Sequence, residues 1–93
     1  MEEVLVKYKR HIFVCINERK EGECCAKRGS LEILRALREH VNKYGLFHKF
    51  NITKTKCLGH CEEGPTIAIY PDGKIFKHVT INDVPKIIKQ YLL

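Results

Sequence analysis

The sequence has no tryptophan, a single methionine and no apolar run near the roughly 20 residues that a membrane-spanning helix needs. Its first residues, Met1-Glu2-Glu3-Val4-Leu5-Val6-Lys7, begin with acidic groups and hold too short an apolar stretch for a secretory signal. These absences predict a cytoplasmic protein without membrane insertion. A chain of 93 residues also leaves no room for a separate catalytic domain, so we expect one domain over residues 1–93.

The cysteines do not follow the patterns of a disulfide protein. There are five of them, an odd number, and no two form a C-x-x-C motif. A thiol–disulfide enzyme would need that motif at a helix start, and a secreted disulfide scaffold would usually have an even count and an export signal. The sequence therefore favours reduced cytoplasmic thiols that bind a metal.

The charge is strongly basic and unevenly distributed. The formal net charge is +6, and residues 31–61 carry six Lys or Arg against two Glu. Such a surface could attract nucleic acid, an anionic membrane or an acidic protein. Nucleic-acid binding usually adds exposed aromatic side chains, whereas Tyr44, Phe47 and Phe50 are predicted here to lie in the core. We therefore expect an acidic protein partner and no nucleic acid.

The first half of the chain predicts a strand, a loop, a helix and a second strand. His11–Cys15 is a short β-rich apolar run that ends at a cysteine, and the polar residues that follow it up to Gly29 predict a loop. Ser30 is predicted to cap a helix from Leu31 to about Tyr44, which ends at Gly45. Residues 49–55 alternate weakly and predict a strand buried on one face. The apolar stripe of the helix is formed by Leu34, Leu37, Val41 and Tyr44.

The second half predicts a hairpin and a final helix. Thr66–Tyr70 is a continuous β-branched run, Pro71-Asp72-Gly73 is a turn signal, and residues 74–77 return as a fourth strand. Thr80 and Asp83 form a capping-box pattern ahead of a helix, in which Pro85 requires either a kink or a later start. The apolar face of that helix is formed by Val84, Ile87, Ile88, Tyr91 and Leu92.

The order β-α-β-β-β-α predicts an α/β fold. A strand–helix–strand unit favours a right-handed crossover between parallel strands, and the hairpin adds two antiparallel strands. This is a thioredoxin-like arrangement, a four-stranded mixed sheet with the helices packed on it.

The cysteine spacing predicts one metal site. Cys15 and Cys25 are separated by nine residues, Cys57 and Cys61 by three, and Cys24 adjoins Cys25. Because Cys15 ends the first strand and Cys57 follows its parallel neighbour, four thiolates can meet at one edge of the sheet. The N-terminus of the first helix lies at that edge and favours negative charge. An iron–sulfur cluster fits this set, and a four-cysteine zinc site is the alternative, although structural zinc prefers shorter hooks on both sides.

Four segments together carry a family resemblance. They are His11-Ile12-Phe13-Val14-Cys15, Cys25-Ala26-Lys27-Arg28-Gly29-Ser30, Cys57-x3-Cys61 followed by Gly64-Pro65, and Tyr70-Pro71-Asp72-Gly73. In this combination the chain resembles the thioredoxin-like [2Fe–2S] ferredoxins, bacterial proteins related to a peripheral NADH dehydrogenase subunit.

The resemblance implies a [2Fe–2S] cluster, electron transfer with redox protein partners rather than enzymatic catalysis, and a homodimer. It places the cluster ligands at Cys15, Cys25, Cys57 and Cys61. Spacing alone does not separate Cys24 from Cys25, and the Ala-x-Arg-Gly-Ser pattern next to Cys25 selects that residue. Cys24 then remains as a spare thiol. A fixed [2Fe–2S] subunit of a larger dehydrogenase or hydrogenase is a further alternative.

Overall fold

The computed structural model describes residues 1–16, 29–56, 59 and 64–93. The order of elements is the predicted β-α-β-β-β-α. In chain order they are β1 (Arg10–Cys15), α1 (Ser30–Lys43), β2 (Phe50–Thr55), β3 (Ile67–Tyr70), β4 (Lys74–Phe76) and α2 (Val84–Tyr91), with a 3-10 turn at Ile81–Asp83.

The four strands form one mixed sheet in the order β2-β1-β3-β4. β1 and β2 are parallel, with Ile12 opposite Ile52 and Cys15 opposite Thr55. β3 is antiparallel to both β1 and β4. The parallel pair sits next to an antiparallel hairpin, as the sequence predicts.

One face of the sheet holds the hydrophobic core, and α1 packs against both that face and α2. Alternate residues of each strand point to it, in keeping with the period of two in a strand. Burial of one such side chain contributes roughly 1.5–3 kcal/mol relative to exposure. The core members supplied by the sheet are Ile12, Val14, Phe50, Ile52, Ile67 and Ile69.

The N-terminus of α1 differs from the prediction. Gly29, with φ of 93°, is the N-cap, and Ser30 is the first helical residue. Ser30 is completely buried and its side chain makes no capping hydrogen bond. The predicted N-cap at Ser30 is wrong, because the left-handed conformation of Gly29 turns the chain into the helix one residue earlier.

The C-terminus of α1 is a Schellman motif. The N–H of Gly45 donates to the carbonyl of Asn42 (3.3 Å), and the N–H of Leu46 donates to the carbonyl of Val41 (2.8 Å). Gly45 has φ of 63°, the left-handed conformation that such an ending requires. Leu46 then packs against the core, so the motif directs the chain back toward β2.

Two predicted core aromatics lie outside the core. Tyr44 is 59% exposed and Phe47 is 67% exposed, whereas Phe50 is buried as predicted. The helical period breaks at Tyr44, which is the C-cap, and Phe47 lies in the turn before β2. Of the three aromatic residues used as an argument against nucleic-acid binding, only Phe50 is therefore in the core.

α2 begins later than Thr80, which explains Pro85. The Thr80 N–H donates to Oδ2 of Asp83 at 2.8 Å, so the capping box exists but opens a 3-10 turn. This hydrogen bond from the backbone lowers the pKa of Asp83 below its ordinary value. Pro85 falls in the first turn of α2, where a missing N–H costs little. Within the described ranges, no helix has the length and apolarity to cross a bilayer.

Arg10 fastens the start of β1 to the rest of the fold. Its Nε donates to Oδ1 of Asp72 at 3.0 Å in the hairpin turn, and its guanidinium donates to the carbonyl of Tyr91 at the end of α2. The hydrogen bond from Arg10 lowers the pKa of Asp72. The Gly64–Pro65 and Tyr70–Pro71 bonds on either side of β3 are both cis, and the sequence left the isomer of Pro65 open.

Replacement of Gly45 by Ala should destabilise the protein by about 1–2 kcal/mol, the usual cost of a left-handed conformation for a residue with a Cβ. No atom lies within 4 Å of the position of that Cβ, so the backbone conformation alone sets the cost. Urea unfolding followed by circular dichroism measures it. Gly45→Asn is the matched control, since Asn tolerates this conformation and should lose less. Equal losses for Ala and Asn would contradict this account.

Candidate metal centre

Cys15 ends β1 as a fully buried free thiol. Its N–H donates to the carbonyl of Thr66 at 3.1 Å, and its Sγ lies against the carbonyl oxygen of Lys56. The next residue continues the parallel ladder, because the N–H of Ile16 donates to the carbonyl of Thr55 at 2.9 Å. Cys15 thus has a fixed backbone and a sulfur directed toward the residue that follows β2.

The other predicted ligands, Cys25, Cys57 and Cys61, lie outside the described residues, as does Cys24. Among the described residues no group of three or more His, Cys, Asp or Glu side chains could hold a metal ion. Cys15 is the one cysteine among the described residues, and all four ligand assignments stay predictions.

The sheet brings described neighbours of the other cysteines to Cys15. Lys56, whose carbonyl contacts the Cys15 sulfur, immediately precedes Cys57 in the sequence. Thr66, whose carbonyl accepts the Cys15 N–H, follows Cys61 by five residues. The contacts of β1 with the residues after β2 and before β3 therefore meet at the carboxyl end of β1.

The N-terminus of α1 belongs to the same edge, because a crossover helix starts where its first strand ends. The Ser30 hydroxyl there is fully buried and has no hydrogen-bond partner in the part of the chain that the structure describes. Buried polar groups are nearly always paired, so the acceptor for this hydroxyl lies outside the described residues, where a sulfur of the site would serve. Sequence reasoning missed this role because Ser30 resembled an ordinary cap.

A shallow basic groove adjoins Cys15. It has a volume of about 360 Å³ and is lined by Ile16, Lys54, Thr55 and Lys56. Both lysines are exposed, so their charges reach solvent at the edge where Cys15 lies. This edge therefore combines a thiol, helix N–H groups and positive charge, which together suit a negatively charged sulfur-ligated centre.

The comparisons with known proteins agree with this chemistry. The family model of the thioredoxin-like [2Fe–2S] ferredoxins matches residues 6–92. A 2Fe–2S ferredoxin of Clostridium pasteurianum is 33% identical over 92 residues, which are 95% of this chain and 89% of that protein. One from Aquifex aeolicus is 37% identical over 87 residues, 89% of this chain and 78% of that protein.

A solved structure extends the likeness to the backbone. The crystal structure of the wild-type thioredoxin-like [2Fe–2S] ferredoxin from Aquifex aeolicus matches with a TM-score of 0.83 at 36% identity. The match covers 91% of this chain and 86% of that one. The predicted thioredoxin-like fold is thereby confirmed.

The fold and these comparisons define a small α/β electron carrier. The chain belongs to the thioredoxin-like [2Fe–2S] ferredoxin family, and its cofactor is a [2Fe–2S] cluster. The residues present fit this group, because Cys15 is a buried thiol outside any disulfide and the buried Ser30 hydroxyl at the same edge has no partner among the described residues. Because the chain belongs to this family, we set aside the alternative of a four-cysteine zinc module.

Ser30→Ala should lower the midpoint potential by roughly 40 mV, if its hydroxyl bond to a site sulfur is stronger in the reduced state by about 1 kcal/mol. A donor to sulfur stabilises the more negative form, so its loss disfavours reduction. Redox titration followed by electron paramagnetic resonance measures the change. Thr53→Ala, which removes a hydroxyl bonded to His11, is the control and should leave the potential unchanged. An unaltered potential in Ser30→Ala with an intact spectrum would exclude the contact.

Proposed function

We propose that Cys15, Cys25, Cys57 and Cys61 ligate the cluster, with the first two at one iron and the last two at the other. The protein would then shuttle single electrons between redox proteins, without enzymatic activity of its own. When bound, the cluster accepts and releases one electron. The observation that carries the proposal is the parallel register of β1 and β2, which sets Cys15 opposite Thr55, two residues before Cys57.

The polypeptide has two tasks in this proposal. The first is to hold thiolates in fixed positions, and Cys15 does so because its backbone is part of the ladder and its side chain is fully buried. The second is to offset negative charge, since four thiolates and a two-iron cluster carry about −2 when oxidised and about −3 when reduced. The α1 N-terminus and the exposed Lys54 and Lys56 supply positive potential at that edge.

The basic edge also favours an acidic redox partner. Of the basic side chains, Lys54 and Lys56 line the groove beside Cys15, whereas Lys43 lies at the C-terminal end of α1, a helix about 21 Å long at 1.5 Å per residue. Electron transfer needs close approach to the centre, so a partner would meet the first two. Such docking is weak and salt-sensitive, as transient redox encounters are.

We also propose that the protein is cytoplasmic, because thiols stay reduced in that compartment, and that it forms a homodimer.

Replacement of Cys57 or Cys61 by Ser should abolish or strongly weaken cluster binding, because a hydroxyl is a poor ligand compared with a thiolate. Cys24→Ser is the matched control and should leave the visible spectrum nearly unchanged. The measurement is iron and zinc content of the isolated protein together with visible absorption before and after dithionite.

The same series tests each assignment separately. If Cys24→Ser loses the colour and Cys25→Ser keeps it, the second ligand is displaced by one residue. A colourless protein that contains zinc would overturn the proposed ligation altogether.

Lys54→Gln should slow oxidation of the reduced protein by ferricyanide, a small anion, roughly two- to fourfold at low ionic strength. The reason is that Lys54 raises the potential next to Cys15, and the effect should disappear in high salt. Stopped-flow absorption measures the rate. Lys43→Gln removes the same charge at the far end of α1 and should have little effect. If Lys54→Gln and Lys43→Gln slow the oxidation equally, the positive potential that attracts the anion is not concentrated at the Cys15 edge.

A further inference from the structure

The outer side of β2 is a strand edge with a fixed set of outward backbone groups. β2 is the first strand in the order β2-β1-β3-β4, so β1 pairs with it on one side and no strand of the described chain pairs with it on the other. The carbonyls of Lys49 and Thr55 accept hydrogen bonds from the β1 side. Because the direction of the backbone groups alternates along a strand, the N–H and C=O groups of Phe50, Ile52 and Lys54 point outward.

Two of these outward groups already have partners, and those partners locate the open part of the edge. The N–H of Phe50 donates to the carbonyl of Leu46 at 3.0 Å. Nε of Arg38 donates to the carbonyl of Ile52 at 3.1 Å. No described residue bonds to the Ile52 N–H or to the outward N–H and C=O of Lys54. The open part of the edge is therefore the second half of β2.

The surroundings of this edge carry positive charge and little negative charge. Residues 40–61, which include all of β2, contain four Lys and no Asp or Glu, although the whole chain has 11 acidic residues. Lys54 and Lys56 are exposed, and so is Arg38 on α1 beside the edge. A guanidinium has five N–H donors, and the contact with Ile52 uses one, so others can bind a carboxylate. The edge is therefore complementary to an extended acidic chain.

We propose that a short acidic segment of the redox partner adds to the sheet as a strand along the outer edge of β2, with its carboxylates at Arg38 and Lys54. This inference rests on the proposed electron-transfer function and names the element by which the acidic partner is recognised. An added strand gains affinity from main-chain hydrogen bonds and specificity from its alternate side chains. Because β2 ends at Thr55, opposite Cys15, the added strand leads the partner to the Cys15 edge.

Charge and hydrogen bonding argue against other occupants of this edge. A second copy of the chain would bring its own Arg38 and Lys54 against the same residues, and basic side chains on edge strands prevent self-pairing in this way. A nucleic acid backbone offers phosphate acceptors but no amide donor to the Lys54 carbonyl. The other edge strand, β4, has three residues against six in β2, so it offers a shorter ladder to an added strand.

The test uses the full-length protein with its cluster and a fluorescent peptide, Glu-Val-Glu-Val-Glu-Val, as the probe. Alternation places the carboxylates on one face of an added strand. Fluorescence anisotropy at low ionic strength should show saturable binding that weakens with added salt. The same peptide with N-methylated central amides keeps its charges but loses main-chain donors, so its dissociation constant should be about tenfold higher. Amide hydrogen exchange in residues 50–54 should slow when the unmodified peptide binds.

Two substitutions of Lys54 separate charge from strand pairing. Lys54→Gln removes the charge alone and should raise the dissociation constant of the peptide about two- to fivefold. Lys54→Pro removes the charge and the outward N–H, and should raise it about fivefold further. Proline is tolerated on an edge strand where its missing N–H faces outward, so both variants should keep the visible spectrum and circular dichroism of the wild type. If Lys54→Pro does not fold, the comparison of the two peptides on the wild type decides.

Lys74→Gln is the matched control, because Lys74 is an exposed lysine on β4, the opposite edge of the sheet. Its dissociation constant should equal that of the wild type. Absence of binding, equal binding of the two peptides, equal constants for folded Lys54→Gln and Lys54→Pro, or an equal loss in Lys74→Gln overturns the added strand. Displacement of the peptide by an equal concentration of oligothymidylate assigns the edge to nucleic acid and overturns it too. None of these results affects the electron-transfer proposal, which the visible spectrum before and after dithionite reports without any peptide.

Discussion

The parallel pairing of β1 with β2 is the constraint on which the site depends. It sets Cys15 opposite Thr55 and brings the Lys56 carbonyl against the Cys15 sulfur. A slip of one residue in this register would turn Ile12 and Val14 away from the core and expose them. The hydrophobic pattern that stabilises the sheet therefore also fixes the position of the thiol. Core packing and site geometry are properties of the same ladder.

The register also gives the two faces of the sheet different surroundings. The face with Ile12 and Ile69 is covered by helices and supplies stability. The opposite face keeps Phe13 and Tyr70 accessible without any charged neighbour among the strand residues on that face. At the edge of the sheet next to Cys15, the exposed side chains include Lys54 and Lys56. One small sheet thus carries its core on one face and an aromatic, uncharged set of strand residues on the other.

Much of the fold followed from local patterns, and the failures have local causes. The run His11–Cys15 predicted a strand because it is β-branched and apolar, and Gly45 predicted the helix end because a Schellman motif needs a left-handed residue. Tyr44 was misplaced because its spacing fits the helical period although the helix has already ended. The choice between Cys24 and Cys25 could not come from spacing, since adjacent residues occupy nearly the same place along a chain. It rests on the neighbouring motif instead.

Net charge connects the cofactor to the rest of the molecule. With the proposed four-thiolate ligation, a chain of +6 and a centre of about −2 would have a net charge near +4, and reduction would lower it to about +3. Reduction therefore brings the protein closer to neutrality, which favours the added electron, and the effect is largest for the positive groups nearest the centre. Lys54 and Lys56 lie at that edge, whereas Lys43 at the end of α1 acts through more solvent. The placement of the basic groups therefore matters more to this centre than their number.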